Sequence, residues 1–450
     1  MGKLFGTDGI RGKANCYPIT PEIALTLGKA IAHVFGASGH GERKAVIGKD
    51  TRLSGYMLEA ALTSGLLSKG MDAIGVGPMP TPAVAHLTKS FNASCGIMIT
   101  ASHNPAEDNG IKIFSADGFK LPDSIEEQIE DFINTNAPSP AHATPDPIGK
   151  AFRIDDARGR YIEFAKASVK NQSLRGLKVV LDCANGAAYS LAPLIFRELG
   201  AEVLSYAVTP DGTNINQNCG AMHPESIAEI VRQHGADVGI TLDGDADRII
   251  FLDASGNVVN GDRILGLCAI DMFSRRRLAN DTLVVTSMSN LGLHKAMADR
   301  GIRTVTTAVG DRYVIECMRE NGYNLGGEQS GHIIFMDYVT TGDGIITALH
   351  VLKQMIVAGK SLRELADFML EYPQQLKSIK VNEKKPIENV PALRDAIRDC
   401  EDALGKRGRT VVRYSGTENK IRVLVEAETG AMVEQWTSHL CNVIERELCS

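Results

Sequence analysis

The segment Asp243-Gly244-Asp245-Ala246-Asp247-Arg248 sets three carboxylates at alternate positions between two apolar runs, VGITL and IIFLD. On an extended or looped backbone that spacing turns all three to one side, where a divalent cation best relieves their mutual repulsion. Oxygen-only ligands suit Mg2+. An EF-hand calcium loop needs Gly at its sixth position and Glu at its twelfth. Here those positions are Arg248 and Ala254, which excludes it. An arginine directly after the third aspartate points instead to a metal that also meets a phosphate, and the flanking apolar runs argue against a merely solvated acidic turn.

Three further segments carry reactive or ligand-binding side chains. Thr100-Ala101-Ser102-His103-Asn104-Pro105 follows the apolar run Cys95–Ile99. A strand running into a polar turn presents a side chain at the end of a sheet, where open α/β proteins place their ligands, so Ser102 is the candidate nucleophile. No G-x-S-x-G elbow surrounds it, and neighbouring side chains do not ordinarily face each other, so Ser102 and His103 are not expected to act as a hydrolase dyad. The glycine-bracketed loop Gly326-Gly327-Glu328-Gln329-Ser330-Gly331-His332 carries a carboxylate, an amide, a hydroxyl and an imidazole, a set that hydrogen-bonds the hydroxyls of a polyol. Arg413-Tyr414-Ser415-Gly416-Thr417-Glu418-Asn419 combines a guanidinium, two hydroxyls and a glycine that lets successive N–H groups converge, an anion nest with Arg422 in support. The sequence has neither a Walker-type phosphate loop nor a G-x-G-x-x-G turn after a strand, so the phosphate is expected on a substrate, not on a nucleotide.

The elements that must hold these loops repeat. Three times an apolar run leads through a polar turn and an amphipathic helix to a glycine and a second apolar run: KAVIGKD to LLSKGMDAIGVG, LKVVLDCANG to FRELGAEVLSYAV, and TLVVTSMSNLG to MADRGIRTVTTAVG. Each reads as a strand, helix, strand unit, which predicts three similar α/β domains. The stretch Asn134–Gly149, with four prolines, favours an extended connection, and Glu371-Tyr372-Pro373 opens a small C-terminal domain. The expected division is 1–150 with the serine loop, 151–255 with the metal loop, 256–371 with the polyol loop and 372–450 with the anion nest. At 450 residues, 44% of them hydrophobic and 23% charged, the chain has the composition of an ordinary globular protein of enzyme size. Its net charge of −6 is spread along the sequence and disfavours nucleic acid as a partner. Apolar stretches break well before the roughly 18 residues of a membrane span, and the N-terminus lacks the apolar core of a signal peptide. A cytoplasmic location, clear of membranes, is expected. The nine cysteines, with no C-x-x-C pair, read as reduced thiols.

With TASHNP, DGDADR, GEQSGH and RYSGTEN in that order, preceded by Phe5–Gly12 (FGTDGIRG) and Gly48–Arg52 (GKDTR), the sequence resembles the α-D-phosphohexomutase superfamily nearly end to end. Gln329 and Val309–Tyr313 (VGDRY) are similar to its glucosamine-phosphate branch; relatives acting on mannose or glucose phosphates usually carry methionine and a Lys- and His-bearing loop there. The resemblance implies an α/β fold of four domains around a central cleft: three similar α/β domains, with mixed sheets between helices, and a small C-terminal α+β domain. It also implies a phosphoserine at Ser102, Mg2+ held by Asp243, Asp245, Asp247 and an oxygen of that phosphoserine, and sugar contacts from Glu328, Ser330 and His332. A phosphate grip by Arg413, Ser415, Gly416, Thr417 and Asn419, with Arg422, completes the set. Tyr414 and Asn419 depart from the family, which more often has proline at both places.

The implied reaction interconverts the 6- and 1-phosphates of glucosamine, on the route to UDP-N-acetylglucosamine and cell-wall polymers. O6 and O1 lie on opposite sides of the ring, so a carrier is needed. Ser102 would hand its phosphoryl group to the free end, giving a hexose 1,6-bisphosphate that turns over and returns its other phosphate. Arg11 and Arg248 are expected to offset charge. Lys112, His103 and His332 are the candidates to take the attacking hydroxyl's proton, with Lys112 favoured. Resemblance to bacterial relatives implies a homodimer. The alternatives are the same chemistry on glucose or mannose phosphates, and a Mg2+-dependent sugar phosphatase.

Overall fold

The computed structural model describes residues 4–6, 8–37, 42–135, 147–414 and 419–449. Most of the expected linker, residues 136–146, lies outside that set, as do Ser415, Gly416, Thr417 and Glu418 of the expected anion nest. Residues 1–286 with 302–367 form one compact unit, and residues 287–301 with 368–450 form a second.

Three mixed sheets of the first unit share one pattern. In the first, Glu42–Lys49 leads through the helix Ser54–Leu67 to a parallel partner, Asp72–Pro78. On its other side it pairs in parallel with Ala93–Ile99, which turns back into antiparallel Asp108–Ser115. The second sheet repeats this order with Lys178–Asp182, Glu202–Tyr206, Val238–Leu242 and Ile249–Asp253. The third does so with Thr282–Thr286, Arg303–Thr307, Leu325–Gly327 and Ile333–Phe335. The repeat read from the sequence is the first two strands of each set. The serine loop, the metal loop and the polyol loop all occupy one equivalent place, the turn into the antiparallel fourth strand.

Apolar sequence explains the scaffold. Ala93–Ile99, Val238–Leu242 and Thr282–Thr286 are buried at every position, as strands covered on both faces must be. Helix starts follow local chemistry. Pro82 sits in the first turn of Thr81–Ser90, and the Asp343 carboxylate accepts from the Ile345 and Ile346 N–H groups, both at 2.9 Å, to cap Gly344–Ala358. The first sheet also passes the boundary expected at residue 150, because Ala151–Arg153 pairs in parallel with Asp72–Pro78.

In the second unit, Gln374–Lys380, Lys420–Ala427 and Gly408–Tyr414 form an antiparallel sheet with the long strand central. Leu393, Cys400 and Leu404 of one helix and Leu440 and Ile444 of another share a core with Ile421, Val423 and Val425 of that strand. The helix Leu291–Ala298 belongs here and not with residues 256–371. Leu291 N–H donates to Glu426 Oε1 at 2.7 Å, and the Asn290 side chain bonds both the N–H and the carbonyl of Tyr372 at 3.0 Å. No helix among the described residues is long and apolar enough to cross a membrane.

Candidate active site

Strand pairing persists to the edge of the serine loop, where Thr100 N–H donates to Gly110 O at 2.9 Å. The ladder then breaks. Ser102 takes a φ of +52°, left-handed backbone that a side-chain-bearing residue adopts only when its surroundings enforce it. The turn buries the hydroxyl and sets Oγ 2.7 Å from Asp243 Oδ2. It also brings Oγ to 3.2 Å from His103 Nδ1, the contact between neighbours that an extended backbone does not allow. This is still not a nucleophile and its base, because Arg248 Nη1 donates to the same Nδ1 at 2.6 Å. Burial first, then Arg248 and Arg11, lower the His103 pKa to about 4, so the ring is neutral near pH 7.

Asp243, Asp245 and Asp247 are buried, and one oxygen from each lies within 4.8 Å of the others. Burial and mutual repulsion push the Asp243 pKa well above the usual carboxylate range. Asp245 Oδ1 and Asp247 Oδ1 are enclosed without a hydrogen-bond partner among the described residues. Three carboxylates that bring hard oxygens close together, two of them with an unsatisfied oxygen, fit Mg2+. The remaining oxygens are oriented from outside the cluster: Asp245 Oδ2 accepts from Thr81 Oγ1 at 2.5 Å, and Asp243 Oδ1 from Arg248 N–H at 3.1 Å.

Lys112, on the antiparallel strand after the serine loop, is 2% exposed and reaches Asp245 at 2.9 Å, Asp247 at 3.0 Å and Asp8 at 3.4 Å. Burial opposes its charge, but these carboxylates outweigh burial and hold its pKa well above the lysine range. The side chain favoured as a proton acceptor is therefore a cation. Arg11 pairs with Asp8, and Lys120 bridges Asp8 to Asp311. Positive charge also remains on Arg248: burial works against it, and Asp247, Asp243 and Glu328 raise its pKa.

The polyol loop is stitched to the strand that follows the metal loop, with Ile249 N–H donating to Gly331 O at 3.1 Å. Glu328 accepts from Gly310 N–H at 3.0 Å, and exposed Ser330 lies 3.5 Å from its other oxygen. His332 is committed on both sides: Gly342 N–H donates to Nε2 at 3.0 Å, which leaves the proton on Nδ1, 3.7 Å from Asp247 Oδ1. In the second unit, Arg413 and Arg422 face each other directly across the antiparallel pair, and Asn419 accepts from Val381 N–H through its carbonyl at 3.0 Å.

Thr81, Asp8, Lys120 and Asp311 join this cluster without a motif that names their role. Asp8 and Asp311 lie inside FGTDGIRG and VGDRY, yet only folding shows that one lysine bridges them.

Four family models cover most of the chain: phosphoglucomutase/phosphomannomutase alpha/beta/alpha domains I, II and III at residues 2–139, 159–256 and 260–372, and the C-terminal domain at 376–442. The phosphoglucosamine mutase of Pelobacter propionicus is 53% identical over 449 residues, covering 100% of this chain and 99% of the relative. That of Myxococcus xanthus is 50% identical over 447 residues, covering 99% and 97%. Among solved structures, a phosphoglucomutase/phosphomannomutase family protein from Burkholderia thailandensis matches with a TM-score of 0.83 at 23% identity, over 99% of this chain and 97% of that one. With a serine loop, a metal loop and a polyol loop at equivalent turns of three like sheets, and with matched family models over all four segments, the chain belongs to the phosphoglucomutase/phosphomannomutase family.

Proposed function

We propose that the chain catalyses the phosphoglucosamine mutase reaction, interconverting glucosamine 6-phosphate and glucosamine 1-phosphate through phosphorylated Ser102 and glucosamine 1,6-bisphosphate. The observation that carries this reading is the buried Ser102 hydroxyl, 2.7 Å from Asp243 inside a cluster of three aspartates. Full-length relatives named phosphoglucosamine mutase at 50–53% identity support the choice of sugar.

Asp243, Asp245, Asp247 and a phosphoserine oxygen would hold Mg2+, which supplies charge neutralisation and polarisation of the transferring phosphoryl group. In the first half-reaction the P–Oγ bond of Ser102 breaks as a P–O bond forms to the free sugar hydroxyl, whose proton is lost as the departing Oγ gains one to become the serine hydroxyl. In the second, after the bisphosphate turns over, Ser102 Oγ loses its proton and takes the other phosphoryl group, and the sugar oxygen released regains a proton. Arg11, Arg248 and Lys112 offset negative charge around the transferred group. A loose transition state asks little deprotonation of the nucleophile at the moment of transfer, which suits a site whose lysine is protonated and whose histidines are committed. Glu328 and Ser330 would bond sugar hydroxyls, and in the second unit Arg413, Ser415, Gly416, Thr417 and Asn419, with Arg422, would bind a phosphate. Positioning of this kind supplies much of the rate.

The test is a mutase assay with Mg2+ and a trace of bisphosphate, comparing the 6-phosphates of glucosamine, glucose and mannose by kcat/KM. A preference for the amino sugar of about tenfold or more, about 1.4 kcal/mol in the transition state, supports the reading. Equal or reversed values would reassign the substrate, and release of inorganic phosphate without isomer would make the protein a phosphatase.

A further inference from the structure

We propose that Arg52 and Asn216 act as positioning residues, forming a clamp that holds the serine loop in its reactive conformation. The inference rests on Ser102 being the phosphoryl carrier. The carbonyls of Ser102 and Asn104 each accept from the same two donors. Arg52 Nη2 lies 3.3 Å from Ser102 O and 2.5 Å from Asn104 O, and Asn216 Nδ2 lies 2.9 Å from both. The donors come from different sheets: Arg52 follows the first strand of the serine-loop sheet, while Asn216 lies in a loop of the metal-loop sheet.

Both donors are themselves fixed. Arg52 is completely buried; its guanidinium pairs with Asp50, and its N–H donates to Asp50 Oδ1 at 2.9 Å. Asn216 also has left-handed backbone, φ +58°, and its N–H donates to Ala184 O at 2.9 Å. The metal loop abuts the clamp at Gly244, where an added Cβ would fall 2.5 Å from Ser102 O and 2.9 Å from Asn216 Nδ2. The orientation of the loop carbonyls, the left-handed Ser102 and the contact of Oγ with Asp243 are thus parts of one arrangement. A serine in that backbone region persists only where its surroundings over-determine it. Four hydrogen bonds to two carbonyls, half of them from a cation, do so here. Removing donors frees the peptide after Ser102 to rotate and carries Oγ away from Asp243. Both donors bind backbone carbonyls, so their loss should lower the rate of transfer and not the affinity for sugar phosphate.

The decisive variant is Asn216→Asp, which keeps the size of the side chain but sets acceptors against two carbonyls. The expected result is a kcat lower by about tenfold or more, with KM for glucosamine 6-phosphate within about twofold. Phosphorylation of Ser102 by glucosamine 1,6-bisphosphate, followed by intact mass in a single turnover, should slow by a similar factor. Arg52→Lys, which retains a charged donor, should keep more activity than Arg52→Met. A kcat within about threefold of the parent, or a loss confined to KM, would overturn the clamp. If Asn216→Asp does not fold, Asn216→Ser is read by the same criteria. A parent enzyme that never gains phosphate on Ser102 would instead remove the carrier reading, and the clamp with it.

Discussion

Thr81 Oγ1 lies 2.5 Å from Asp245 Oδ2, and Thr81 N–H donates to Asp245 O at 2.9 Å, so the start of one helix orients a metal-loop aspartate through both its side chain and its backbone. Groups that orient a ligand from outside the coordination shell typically change metal affinity by about 10- to 100-fold when removed. Thr81→Val keeps the shape and the N–H but loses the hydroxyl. Its half-saturating Mg2+ concentration should rise within that range, with the thermal midpoint of the metal-free protein nearly unchanged. An unaltered Mg2+ dependence would show that Thr81 only packs.

Ser102→Ala removes the carrier and leaves the surrounding cations in place. Turnover should vanish while glucosamine 6-phosphate still binds, as read by calorimetry in the presence of Mg2+. The phosphate-sized mass increment on the parent protein should be missing as well. Residual mutase activity would sink the phosphoserine mechanism.

Lys112 is the ammonium shared by Asp8, Asp245 and Asp247. Lys112→Met fills a similar volume and takes the ammonium away from two buried carboxylates, Asp245 and Asp247, while half-buried Asp8 keeps Arg11 and Lys120. Breaking a buried ionic cluster costs about 3–5 kcal/mol, so unfolding by urea without Mg2+ should begin at clearly lower concentration. Added Mg2+ should restore more stability to the variant than it adds to the parent, because the cation replaces the missing charge. Equal stability without metal would show that the carboxylates are neutral there.

Arg413 and Arg422 oppose each other across the ladder of the second unit, and both belong to the proposed phosphate grip. Arg413→Ala should raise KM for the 6-phosphates of glucosamine, glucose and mannose by a common factor of about ten, leaving the preference among them unchanged. A change in preference would assign this loop to the sugar.

Much of the site is legible in the sequence because apolar strands bracket each loop. Ser102, the three aspartates and Glu328 all follow a buried strand, and the strand, helix, strand period that repeats in the sequence is the period of the sheets. What is illegible comes from tertiary contact. Lys112 meets Asp245 and Asp247 across more than 130 residues, a partnership that no local pattern announces. His103 faces Ser102 only because the fold imposes left-handed backbone, and Asn216 sits in a loop, NINQNCG, whose sequence gives no hint of the carbonyls it binds. Ala151–Arg153 escapes notice for the opposite reason: it is a three-residue strand, exposed throughout, with no apolar pattern to mark it.

His350 gives the protein an acid limit unrelated to catalysis. Its ring stacks on Phe335, with centroids 4.5 Å apart, and Nε2 is buried without a hydrogen-bond partner among the described residues. Burial first, then Lys353 and Arg277, lower its pKa from 6.5 to about 3. In the unfolded chain a histidine takes up its proton near pH 6.5, whereas the folded protein resists until about pH 3. Below pH 6.5 the unfolded state therefore binds more protons, and stability falls as pH falls through that window. The contribution of this one group at pH 5 is about 2 kcal/mol. His86, stacked on Phe164 at 3.7 Å with a pKa lowered to about 4, acts in the same direction. His350→Phe retains a ring against Phe335 and removes the titration. Its effect on unfolding free energy, measured in urea, should be more favourable at pH 5 than at pH 8 by about 2 kcal/mol. The difference between the two pH values isolates protonation, since any change in packing is common to both. Equal effects at pH 5 and pH 8 would mean that folded His350 titrates as it does in the unfolded chain.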